Sequence, residues 1–160
     1  IKMGFKIILV PHDGCTMSGK ALDKAVEIAK LAKGSHIIII HVIPEIPTPI
    51  FSRVIRSPKT GEVITFSEYM ISLYQEMESE MREKLEDKKR KYSLDGVSIE
   101  IFITIGSPSD KILEYATDKK ADLIVIGSIG ITGVSKFFKG LGSVSRSVSE
   151  KVSCPILIVR

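Results

Sequence analysis

Strand-length apolar runs alternate along this chain with stretches whose apolar positions recur every three or four residues. Residues 6–10, Lys-Ile-Ile-Leu-Val, are short and β-branched and read as a first strand. After the turn-like Pro11-His12-Asp13-Gly14-Cys15-Thr16, the residues Ala21, Leu22, Ala25, Val26, Ile28, Ala29 and Ala32 fall at i, i+3, i+4, i+7 spacing, which predicts a helix. Ser18 or Thr16 is placed to cap it and Gly34 to end it. Residues 36–42, apolar towards both sides, predict a second strand of the kind that sits mid-sheet among parallel neighbours.

Residues 44–66 break the rhythm. Pro44, Pro47, Pro49 and Pro58 disfavour regular structure and Lys59-Thr60-Gly61-Glu62 reads as a turn, so a Pro-rich loop insertion is expected there. Residues 67–92 predict one long charged helix. Its stripe of Met70, Leu73, Tyr74, Met77, Met81 and Leu85 reads as core packing, and Glu76, Glu78, Glu80 and Glu83 as a solvated face. Val97–Ile105 predicts a third strand. Ser107 as cap and Pro108 at the first helical position then open a helix to about Lys120. Asp122–Ile126 predicts a fourth, buried strand, Ser143–Val152 a helix and Pro155–Val159 a fifth strand. Such alternation gives parallel strands joined by right-handed crossovers, with helices on both faces: an α/β fold in three α/β/α layers.

Composition narrows the class. A chain of 160 residues, 44% hydrophobic and 26% charged, is the size of one domain with one sizeable core, so residues 1–160 are read as a single domain. No apolar run reaches the ~18 residues of a membrane span, and the first residues lack the regions of a signal peptide. The cytoplasm is therefore the expected compartment and no membrane partner is expected. Cys15 and Cys154 are too few for a disulfide framework. The net charge of +4 suits an anionic small ligand at least as well as nucleic acid. Lys88-Lys89-Arg90-Lys91 reads as a solvated helix C-terminus and no compact basic-aromatic surface is legible, so nucleic acid is not an expected partner.

The candidate chemistry lies after the fourth strand. Gly127-Ser128-Ile129-Gly130 lets backbone N–H groups approach an anion, and Gly140-Leu141-Gly142-Ser143-Val144-Ser145 leads into a helix whose first N–H groups are free, with two hydroxyls beside them. From spacing alone, a phosphate-binding loop and a plain turn with Ser143 as N-cap are both open readings. The loop is neither a P-loop nor a dinucleotide fingerprint, because no Gly-x-x-x-x-Gly-Lys-Ser/Thr run occurs and the first strand leads into Pro11-His12-Asp13-Gly14. Asp13 follows strand one as Gly127 follows strand four. If those strands are neighbours at the switch point, one crevice receives both, and Asp13 accepts from ribose hydroxyls; otherwise it is a cap or turn residue.

These residues, taken together, resemble the universal stress protein family in its nucleotide-binding branch. The resemblance covers nearly the whole chain. It rests on Ile7–Val10 with Pro11-His12-Asp13-Gly14, His41-Val42, Gly106-Ser107-Pro108, Ala121–Ser128, Gly142-Ser143-Val144 and Cys154–Val159. It implies a five-stranded parallel sheet in order 3-2-1-4-5, a homodimer paired through the C-terminal strand 155–159, and ATP or AMP held between strands one and four. It implies that Asp13 holds the nucleoside end, that Pro11 and Val42 line the adenine, that Gly127 and Gly130 approach the phosphates, and that Gly142, Ser143 and Ser145 bind them. Ile126, Ser128 and Val144 lie within the matched motifs and count with the binding residues. The implied role is a stress-response or signalling module; a weak ATPase or phosphotransferase, and a dimeric scaffold without nucleotide binding, are the alternatives. One departure stands out: the family has nine residues between Gly-x-x-Gly and Gly-Ser, whereas eleven separate Gly130 from Gly142-Ser143 here, and a count of nine lands on Gly140. Either the loop carries a two-residue insertion or the phosphate grip is altered.

Of the three histidines, His36 and His41 at the ends of strand two read as structural, while His12 beside Asp13 is a candidate contact to base or phosphate. Magnesium or manganese is expected only as a companion of nucleotide phosphates. No Cys/His spacing suggests zinc, and no nucleophile-base pair or Gly-x-Ser-x-Gly elbow stands out. Arg146 either reaches phosphate or lies on the surface.

Overall fold

The computed structural model describes residues 4–48, 53–130 and 140–160. In chain order its elements are β1 (Ile7–Pro11), α1 (Thr16–Leu31), β2 (His36–Ile43), β3 (Val54–Arg56), β4 (Val63–Thr65), α2 (Phe66–Ser93), β5 (Ser98–Ile105), α3 (Pro108–Asp118), β6 (Leu123–Gly127), α4 (Ser143–Lys151) and β7 (Ile156–Val159). Five strands form one parallel sheet in the order β5-β2-β1-β6-β7. Counting only the sheet's own strands, this is the expected order 3-2-1-4-5.

Alternation along each strand sorts the core into two layers. Ile8, Val10, Ile37, Ile39, Leu123 and Val125 point to one face and meet α1 through Leu22, Ala25 and Val26 and α2 through Leu85 and Tyr92. Leu9, Ile38, Ile40, Ile124 and Ile126 point to the other and meet Ile112 and Ala116 of α3 and Val148 of α4. Both faces of β1, β2 and β6 are thus covered, which is why their sequences are apolar throughout.

Within the segment 44–66, residues 44–48 carry no regular structure, as expected, and 49–52 lie outside the described residues, but 54–65 correct the expectation of an irregular loop. Val54, Ile55 and Arg56 pair antiparallel with Thr65, Ile64 and Val63, and the turn between them closes through Ser57 N–H to Glu62 O at 2.7 Å. Pro58 sits in that turn, where its fixed φ is no obstacle. The hairpin runs straight into α2 through a reciprocal cap: Thr65 Oγ1 accepts from Glu68 N–H, and Glu68 Oε2 accepts from Thr65 N–H.

α2 is longer than the sheet is deep. Leu85 and Tyr92 are buried against the sheet, but Met81 lies over Gly14, beyond the end of β1. Tyr74 Oη accepts from Ile46 N–H at 2.8 Å, beyond the end of β2. The N-terminal half of the helix therefore stands past the carboxyl edge of the strands.

Candidate functional site

From β1 the chain proceeds outward to β2 and β5, then returns to lay β6 on the other side of β1. The gap past the ends of β1 and β6 is therefore the switch point of the sheet, where the loops after the two strands diverge and leave a crevice.

On the β1 side, Asp13 Oδ1 accepts from Cys15 N–H at 3.1 Å. Cys15, not Ser18 or Thr16, is the N-cap of α1: its Sγ accepts from Ser18 N–H at 3.4 Å. The Ser18 hydroxyl instead turns back to Cys15 O at 2.9 Å. Cys15 Sγ also lies 3.7 Å from Ile129 O, a donor contact to the loop after β6.

His12 is buried, and its Nδ1 accepts from Gly14 N–H at 3.1 Å. An amide N–H only donates, so the ring proton sits on Nε2, a buried atom with no partner among the described residues. Burial first, and the positive charge of Lys88 second, lower the pKa of His12 to about 4. Ser18 Oγ is 3.4 Å from this ring, but the two are not a nucleophile and its base. The hydroxyl proton is given to Cys15 O and the imidazole lone pair is taken by Gly14. His41 Nδ1 donates to His12 O at 2.7 Å and His36 bonds Ser98 and Glu100, the structural roles expected of both. Ser107 occupies the N-cap of α3 as expected, but without a side-chain hydrogen bond.

On the β6 side, Ser128 is a fastening point. Its N–H donates to Val159 O at 2.8 Å, and its carbonyl accepts from Gly142 N–H at 2.7 Å and from Ser145 Oγ at 2.8 Å. This pins the start of α4 beside the end of β6. Gly142 is the N-cap of α4, and the first intrahelical bond is Arg146 N–H to Gly142 O at 3.0 Å. The N–H groups of Ser143, Val144 and Ser145 thus have no acceptor within the helix, and these residues line the crevice at the positive end of the helix dipole. Residues 131–139, the span over which the two loop-length readings differ, lie outside the described residues.

The crevice is a cavity of about 750 Å³, within the usual size range for small-ligand sites. Of the residues singled out in the sequence, Pro11, His12, Asp13, Val42, Ile126, Gly127, Gly130, Gly142, Ser143, Val144 and Ser145 all line it. Ser128 does not; buried and occupied by the fastening bonds, it is a correction to the set. Two of these lining residues, Gly127 and Ser145, also have structural work. A Cβ on Gly127 would stand 3.0 Å from the Met17 backbone carbon, so its missing side chain lets α1 pack against β6. The Ser145 hydroxyl is engaged by Ser128 O and Gly142 O. Arg146 is exposed and outside the lining.

Sequence reasoning missed a wall. Met77, Glu80, Met81 and Lys84 of α2 line the cavity; Met81 also packs against the core and Glu80 is exposed, as expected, but their place at the crevice was not read. Their i, i+3, i+4, i+7 spacing was the available signal, masked because two of the four are charged. Ile40, Pro44, Pro108 and Ile112 add apolar surface. Among the described residues no group of three His, Cys, Asp or Glu gathers as a metal site, and no helix is long and apolar enough to cross a membrane.

A sequence model described as the universal stress protein family matches residues 4–160. Universal stress protein YxiE of Bacillus subtilis is 38% identical over 156 residues, covering 98% of this chain and 99% of that one. Universal stress protein MJ0577 of Methanocaldococcus jannaschii is 30% identical over 159 residues, covering 98% and 95%. The solved structure of MJ0577 superposes with a TM-score of 0.77 at 28% identity, over 96% of this chain and 94% of that one. A universal stress protein solved in complex with cAMP shares the fold, with a TM-score of 0.64 at 22% identity and 98% of both chains covered.

Proposed function

The chain belongs to the universal stress protein family, and on that footing we propose that it binds an adenine nucleotide, ATP or AMP, in the cavity between β1 and β6. The observation that carries this reading is one cavity lined by two unlike sets of groups. Pro11, Ile40, Val42 and Ile112 offer apolar walls for a base. Gly130 and the first N–H groups of α4 offer donors for phosphate. Asp13 lines the same cavity close beside Gly130, and its carboxylate suits sugar hydroxyls as an acceptor. The fold neighbour solved with cAMP supports the choice of an adenine ligand. Gly142, rather than Gly140, caps α4, which supports reading the longer loop as an insertion ahead of an unchanged Gly-Ser step. Magnesium or manganese enters as the phosphates' own counter-ion.

In this reading the protein is a cytoplasmic stress-response or signalling module whose ligand state is passed to partners, rather than an enzyme. Two copies pair through β7, an edge strand of the sheet, on which Leu157 is 37% exposed. Leu157→Lys is expected to shift the protein from dimer to monomer in light scattering; an unchanged mass rejects this interface. For the ligand, mass spectrometry of the small molecules released on denaturing freshly purified protein, followed by calorimetry with ATP and AMP, is the test. Absence of adenine-nucleotide binding up to millimolar concentration rejects the proposal.

A further inference from the structure

α2 turns one face to the cavity. Met77, Glu80, Met81 and Lys84 fall on a single helical stripe, and all four line the cavity. The buried residues of the helix are Met70, Leu85 and Tyr92, so the stretch between the first two has no fully buried anchor. Met77 and Met81 are half-buried there and line the cavity, Met81 also packing against the core. The neighbouring charges are spent elsewhere, Glu76 on Lys59 and Glu78 on Arg82. Glu80 and Lys84 make no ion pair with a described residue and bring one negative and one positive charge to the same rim.

We propose that this face of α2 reads the nucleoside part of the ligand and not its phosphates. Flexible, polarizable methionine side chains suit the faces of a base and a sugar. The Glu80–Lys84 rim has no net charge, so it adds no attraction that grows with phosphate number. The anion donors belong to other elements, Gly130 after β6 and the start of α4. Affinity therefore divides by element: α2 contributes a constant increment for any adenine nucleoside or nucleotide, and the glycine loop contributes the part that changes from adenosine to AMP to ATP. This rests on the adenine-nucleotide reading of the cavity.

Calorimetry with adenosine, AMP and ATP on the wild type, Met77→Ala and Met81→Ala tests it. Each variant is expected to lose roughly tenfold in affinity, by the same factor for all three ligands. A loss that grows with phosphate number, or unchanged affinity for all three, overturns the inference while leaving the nucleotide reading intact. Hydrogen exchange on the wild type needs no variant and guards against misfolding: adenosine alone is expected to slow exchange in residues 74–84, and binding without that protection overturns the inference. A wild type that binds none of the three ligands rejects the nucleotide reading and this inference with it.

Discussion

A Cβ placed on Gly130 would stand 2.8 Å from Oδ2 of Asp13. The two residues follow different strands, β6 and β1, and their close approach sets the two lips of the switch-point crevice side by side. The other carboxylate oxygen of Asp13 is held by Cys15 N–H, so the side chain has little freedom to move aside. Gly130→Ala is thus expected to displace either the carboxylate or the loop. Calorimetry should show at least a tenfold loss of AMP affinity. The melting temperature should change little, because residue 130 is exposed and outside both core layers. Unchanged affinity would remove this contact from the site.

Gly127 should behave in the opposite way. Its hypothetical Cβ meets Met17 backbone atoms at 3.0 and 3.1 Å, and backbone cannot yield as a side chain does. Gly127→Ala is expected to cost about 1–3 kcal/mol, read as a melting temperature several degrees lower. A variant as stable as the wild type would show that α1 tolerates the extra methyl.

Ser145 separates a fastening role from a phosphate contact. Its hydroxyl is engaged by Ser128 O and Gly142 O. Ser145→Ala should therefore lower stability by about 1 kcal/mol in denaturant titrations. AMP affinity should stay within about threefold, since the backbone N–H at this position remains. A large affinity loss at unchanged stability would assign the hydroxyl to the ligand instead.

His12 makes stability depend on pH. Its folded pKa of about 4 lies below the ordinary 6.5, so between those values the unfolded chain binds more protons than the native one. Its contribution is complete above pH 6.5 and is lost as the pH falls towards 4. The loss amounts to about 3 kcal/mol at its full extent. Urea unfolding of the wild type and His12→Asn at pH 7 and pH 4.5 should show the wild type losing more stability on acidification. Parallel losses would refute the assignment.

Much of the fold was legible because its signals are local. Ile37–Ile40 and Leu123–Ile126 are apolar on both faces, which demands a sheet covered on both sides, and the intervening stretches carry helical spacing. The hairpin at Val54–Thr65 was hidden by its prolines and its length, since three-residue strands carry too little alternation to read. The Cys15 cap was hidden because thiol caps are not among the favoured N-cap side chains.

For the site, the sequence by itself determined which residues lie at the strand ends: Pro11 to Asp13 at the end of β1, and Gly127 to Gly130 at the end of β6. It did so because strand ends and glycine turns are marked by neighbours in the chain. Only the tertiary structure decided what each of them touches. It set Gly127 against Met17, set Gly130 against Asp13, occupied Ser128 and Ser145 with each other, and brought Met77 and Met81 of α2 over the crevice. These are contacts between residues tens of positions apart. Their distances depend on how helices and loops pack across the sheet edge, which no local pattern encodes.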